Sequence, residues 1–152
     1  MKVMVIGKAS KASEAGDMGS PEMEEGFAAM EKFNEELINA GIMLDGTGLT
    51  PTSRGARVRF SGSNRTVTLG PFAETTEIIA GFSIWKVSSL QEAIDWVKKS
   101  PNSMTEDSEV EIRPLMEPED FAGVVSPERL EEVKELEARS ADRDGYGLAR
   151  FK

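Results

Sequence analysis

Ile78-Ile79-Ala80-Gly81-Phe82-Ser83-Ile84-Trp85-Lys86-Val87, followed directly by Ser88-Ser89-Leu90-Gln91-Glu92-Ala93-Ile94, decides the architecture of this chain. A run so rich in branched and aromatic side chains predicts a strand. Ser89 and Glu92 stand at capping-box spacing, so a helix opens at once, with Leu90, Ala93, Ile94 and Val97 on one face and Pro101 as its stop. Ile84 and Trp85 point to opposite sides of the strand, so both faces of the sheet demand cover.

The same unit, strand then helix, begins the chain. Val3-Met4-Val5-Ile6 within Lys2–Gly7 is apolar without alternation, as a central strand would be. Ser20-Pro21-Glu22 then supplies a cap, a first-turn proline and an acid at the positive helix end. Phe27, Met30, Phe33, Leu37 and Ile38 recur at helical spacing, and Gly41 closes the helix, which spans 21–40. Ile42–Leu44 starts a second strand, which leads into Gly46-Thr47-Gly48. Arg57-Val58-Arg59-Phe60 and Thr66-Val67-Thr68-Leu69 alternate on either side of Ser61-Gly62-Ser63-Asn64 and predict a hairpin. Val110-Glu111-Ile112-Arg113 is the last strand, stopped by Pro114.

With the hairpin set aside as an insertion, the order is β-α-β-β-α-β, the split arrangement of a ferredoxin-like α+β sandwich. Two helices cover one sheet face only. The other is expected to carry an apolar patch that a second subunit covers, making a homodimer. Residues 1–117 form this domain. Residues 118–152 are an acidic helical extension opened by Ser126-Pro127-Glu128, with Leu130, Val133 and Leu136 as a narrow apolar stripe. That helix docks on its own subunit or its mate, or else recruits a partner.

Composition excludes much chemistry. The 152 residues suit one core, and 18 Lys+Arg against 27 Asp+Glu leave a net charge of −9, which repels nucleic acid. Histidine and cysteine are absent, removing imidazole catalysis, thiol nucleophiles, disulfides and the metal sites that use those ligands. No cofactor is implied: Gly7-Lys8 lacks the phosphate-loop spacing, and Gly46-Thr47-Gly48 lacks the third glycine of a dinucleotide fingerprint. The carboxylates at 106–111 and 117–120 do not follow calcium-loop spacing, so no metal is assigned. Apolar runs too short for a signal peptide or a membrane span predict a cytoplasmic protein with no membrane partner.

Against the negative balance, residues 46–73 hold Arg54, Arg57, Arg59 and Arg65 and no acid. Guanidinium forks bind carboxylates and phosphates in bidentate fashion, which makes Arg59 a candidate ligand contact; pairing with surplus acids is the structural alternative. Arg113, between Ile112 and Pro114, is placed to face a cavity or to pair with Glu111 of a neighbouring strand or with Glu74. Glu74 follows the turn Gly70-Pro71-Phe72-Ala73, and a carboxylate held there is the one candidate general base.

Gly70-Pro71-Phe72-Ala73-Glu74-Thr75, Ile79-Ala80-Gly81-Phe82, Ser89-Leu90-Gln91-Glu92-Ala93 and Glu111-Ile112-Arg113-Pro114-Leu115 resemble YCII-related proteins of the DGPF type. The resemblance extends to Phe33-Asn34-Glu35-Glu36-Leu37 with Ala40-Gly41, to Gly46-Thr47-Gly48-Leu49 and to Val58-Arg59, and covers roughly residues 1–116. It implies a dimeric α+β barrel and marks Gly70, Pro71 and Phe72 as motif residues. Most such relatives have no established function; a related branch includes an enzyme of chlorinated-aromatic breakdown, and others bear a His–Asp pair proposed as catalytic. Here histidine is missing and Leu69 stands where the motif has Asp, so neither role transfers. The sequence therefore predicts a homodimer with a pocket at the barrel or subunit junction, where Arg59, Glu74 and Arg113 contact a small anionic ligand. Lyase- or isomerase-like activity is one reading; a non-catalytic binding, regulatory or dimerising module is the other.

Overall fold

The computed structural model describes residues 1–16, 19–73, 77–102, 104, 106–121 and 123–141. Four strands form one antiparallel sheet: β1 (Lys2–Lys8), β2 (Met43–Gly48), β5 (Ile79–Lys86) and β6 (Val110–Pro114), in the order β2-β5-β1-β6. Helices α2 (Pro21–Asn39) and α3 (Leu90–Val97) supply its cover. Strands β3 (Ala56–Ser61) and β4 (Asn64–Leu69) pair only with each other, as a separate ribbon. An α+β chain with an antiparallel sheet and few helices fits a ferredoxin-like sandwich, and the hairpin is an insertion between β2 and β5 as expected.

The main core lies between the sheet and α2/α3. Val3 and Val5 of β1, Trp85 of β5, Phe33 and Leu37 of α2 and Ala93 of α3 are buried together with Ile42 and Val87, and Ile112 packs on them from β6. Phe33 sits between two indoles, its ring centroid 6.5 Å from Trp85 and 6.3 Å from Trp96. Tilted aromatic pairs of this kind add to the gain from burial. Trp96 takes the core place expected of Leu90, which is exposed, and Phe27 and Ile38 likewise lie toward solvent while Met23 is buried.

Helix α2 starts and stops for local reasons. Ser20 accepts a hydrogen bond from Met23 N (3.2 Å), with Pro21 and Glu22 in the first turn. At its far end Gly41 adopts φ 71°, so Gly41 N donates to Ile38 O and Ile42 N to Leu37 O, which returns the chain toward β2 with Ile42 already in the core.

Strand β2 begins at Met43 and runs on through the glycines to Gly48, because they admit close approach. A Cβ on Gly46 would lie 2.7 Å from Met43 Cε and 3.0 Å from Ser83 Cβ, and one on Gly81 would lie 2.8 Å from Thr47 O. The register shifts between Met43 and Asp45, so Leu44 bulges outward. The segment before α2, expected as a loop, includes the short helix α1 (Lys11–Ala15), capped reciprocally by Ser10 and Ser13. After β6, a 3-10 turn (Pro118–Phe121) leads to α4 (Pro127–Ala141).

Candidate functional site: the open sheet face and the hairpin

Alternation fixes what each sheet face carries. Val3 and Val5 look toward the helices, so Met4 and Ile6 look away from them; Phe82 and Ile84 of β5 share that second face, opposite Ile6 and Met4. Ile6 is buried and Met4, Phe82 and Ile84 are half-buried, and none of the four joins the cluster around Leu37 and Trp85. Asp45 and Thr47 of β2, paired with Ile84 and Phe82, edge this face on one side, and Glu111 and Arg113 of β6, paired with Ile6 and Met4, edge it on the other. The open face is thus an apolar centre between two polar margins.

The β6 margin is an ion strip. Glu111 Oε2 lies 3.1 Å from Lys8 Nζ, and its Oε1 lies 3.6 Å from Arg113 Nη1. Glu111 belongs to the same strand as Arg113, not to a neighbouring one as expected: residues two apart share a face. The hydrogen bond to Glu111 holds the Lys8 ammonium above its ordinary range, with Glu77 and Glu109 adding to the pull, so Lys8 stays charged through neutral pH. Arg113 keeps a side chain 70% exposed and shares its acid with Lys8, which leaves guanidinium donors for another acceptor.

Beside the strip, Lys8, Ala9, Ser10, Asp107, Ser108 and Glu109 line a shallow cleft of about 340 Å³. Its two acids face one lysine already engaged by Glu111, which disfavours an anion there. Ser10 is committed to capping α1, and Asn102 ties down the opposite wall through Glu106 O (3.0 Å) and Ser108 Oγ (2.8 Å). No group of three or more acids that could hold a metal ion occurs among the described residues, and none of their helices is long and apolar enough to cross a membrane.

The hairpin presents one face of each character. Ala56, Val58 and Phe60 stand with Leu69, Val67 and Arg65, while Arg57 and Arg59 stand with Thr68 and Thr66 on the reverse. Arg57 stacks over Phe72, 4.0 Å from the ring centroid, and Arg65 over Phe60 at 4.4 Å. Arg59 forms no ion pair among the described residues.

The motif residues do a structural job at the hairpin's root. Gly70 N donates to Gly55 O (3.0 Å), and Phe72 N donates to Thr52 Oγ1 (3.1 Å). Thr52 in turn donates its N–H and hydroxyl to the Glu14 carboxylate of α1. A Cβ on Gly70 would fall 1.7 Å from Thr52 O, so no other residue fits without moving the turn. Of the three expected ligand contacts, then, Arg113 lies on the sheet margin and Arg59 on the separate hairpin, and Glu74 lies outside the described residues. The pairing of Arg113 with Glu111 was expected, whereas the parts played by Lys8, Glu14 and Thr52 were not.

The YCII-related domain model matches residues 1–119. The chain belongs to the YCII-related family. A curated relative, the Uncharacterized protein R00369 of Rhizobium meliloti (strain 1021), is 33% identical over 86 residues, which are 57% of this chain and 69% of that protein. Among solved structures, the chain is similar to 5-chloro-2-hydroxyhydroquinone dehydrochlorinase (TftG) from Burkholderia phenoliruptrix AC1100 in complex with 2,5-dihydroxybenzoquinone. The TM-score is 0.42 and the identity 16%, over 78% of this chain and 98% of that one.

Proposed function

We propose that this YCII-related protein is a homodimer that binds a small anionic metabolite where two copies meet, with Arg113, Arg59 and Glu74 as ligand contacts. The observation that carries this reading is the sheet face turned away from the Leu37 core, apolar at its centre through half-buried Met4, Phe82 and Ile84 beside buried Ile6 and edged by Lys8, Glu111 and Arg113. A second copy of the chain covers the apolar part. Arg59 and Arg113 stand on different sheets, and the reading brings them to one ligand at the junction of two subunits. Guanidinium pairs select planar carboxylate or phosphate groups. With no cysteine to form disulfides, nothing ties the reading to an oxidising compartment, and the cytoplasm is its proposed location.

Lyase- or isomerase-like turnover requires a base, for which Glu74 is the candidate. The second reading, a non-catalytic binding or regulatory dimer, is favoured by the missing histidine and by Leu69 in place of the motif's aspartate. A thermal-shift panel of small carboxylates, phosphates and phenolic acids tests both. A ligand at a hundred times its Kd stabilises the folded state by about 2.7 kcal/mol. The dimer-junction reading predicts a stabilising compound whose effect is lost in Arg113→Ala; a panel with no stabilising member contradicts it. Turnover of the hit that disappears in Glu74→Gln establishes the enzyme, and binding without turnover establishes the module.

A further inference from the structure

The β3–β4 hairpin is too exposed to be finished. Phe60, Val67 and Leu69 are 71%, 60% and 73% exposed, and with half-exposed Val58 they form an apolar face, bounded by Arg65 stacked on Phe60, on a ribbon that pairs with no other strand among the described residues. A lone two-stranded ribbon is marginal in water and gains its stability by packing one face on something. Its base, however, is closed by the Gly70–Gly55 hydrogen bond and the stacking of Arg57 on Phe72, and is tied to α1 by the Phe72–Thr52–Glu14 chain. This is a built arm rather than a slack loop.

Charge identifies what it reaches. Four of the 18 basic residues and none of the 27 acidic ones fall in 46–73, so the remainder of the chain carries −13. The arm is positive and the body negative. Two arms repel each other, whereas the arm of one copy and the body of another attract. We propose that the β3–β4 hairpin is a dimerisation arm that lays its apolar face on the acidic body of a second copy, outside the sheet-on-sheet contact. The inference rests on the homodimer reading above and adds a second, separable contact to it.

Sedimentation velocity over a dilution series tests it, on the full chain and on two variants, Phe60→Ser/Leu69→Ser and Arg57→Glu/Arg59→Glu, with amide exchange of residues 56–69 followed in parallel. The arm predicts a wild-type dimer that the apolar variant weakens by roughly tenfold or more. It also predicts weakening by the charge variant, which replaces no apolar side chain and gives up only the Arg57–Phe72 stacking, and so stands as evidence if the first variant folds poorly. Arm amides must exchange more slowly as the dimer forms. A wild-type dimer with unchanged affinity in both variants and concentration-independent exchange overturns the arm and leaves the homodimer intact. A dimer strengthened by Arg57→Glu/Arg59→Glu puts arm against arm and overturns the occupant proposed here. A wild type that stays monomeric overturns the arm and the homodimer together.

Discussion

Gly70 shows how much one missing Cβ can hold in place. With Thr52 O at 1.7 Å from where that carbon would sit, Gly70→Ala must push the turn off Thr52, breaking the link from Phe72 N through the Thr52 hydroxyl to Glu14. The expected loss is roughly 2–4 kcal/mol in urea denaturation, the range for backbone strain plus a lost buried hydrogen bond. Thr52→Val, which keeps shape but removes both the donor and the acceptor, is expected to cost about 1–3 kcal/mol in the same assay. The sequence marked Gly70, Pro71 and Phe72 as a motif without disclosing this job, because their partners lie 15 and more residues away and local pattern carries no record of them. Arg113 was legible as a strand residue with a charge out of keeping with its neighbours. Its sharing of Glu111 with Lys8 depended on the β1–β6 register, which only the folded sheet sets.

At the level of elements, caps and periodicity were the readable signals. The α2 and α3 starts follow from Ser20 and Ser89, and the hairpin from two alternating runs around a polar turn. Ser89 accepts from Glu92 N (3.1 Å), so Ser89→Ala is expected to cost about 1 kcal/mol by thermal or chemical denaturation. The capping box differs from its usual form: the Glu92 carboxylate accepts from the hydroxyl and the N–H of Ser88, one residue before the cap (both 2.6 Å). Those two donors, the hydroxyl first, hold the Glu92 carboxyl below its ordinary value of 4.5. A depressed carboxylate contributes stability that is present above its unfolded pKa and lost as pH falls through the lower folded one. The stability gap between wild type and Glu92→Gln should therefore be constant near neutrality and close in acid, which denaturation curves at descending pH will register. Helix α1 escaped the sequence because its box uses Ser13 where Glu or Gln is the usual signal.

On the scale of the molecule, the main core fills one side of the sheet, and the dimer proposed above covers the other. Leu37, fully buried in the same core cluster as Phe33, anchors that core, and Leu37→Ala is expected to cost about 2–5 kcal/mol of unfolding free energy. The open side was legible from sequence as an excess of apolar faces over helices, since Ile84 and Trp85 cannot both face one layer. The acidic extension keeps Leu136 of α4 exposed, 66%, and its proposed seat is the dimer mate or its own subunit. Everything proposed about ligand and arm depends on two open faces meeting. Sedimentation equilibrium of the wild type beside Ile84→Glu, which sets a charge in the middle of that face, tests this most directly. The account predicts twice the chain mass for the wild type and a folded monomer for the variant; a monomeric wild type, or a variant that dimerises as tightly as the wild type, would contradict it.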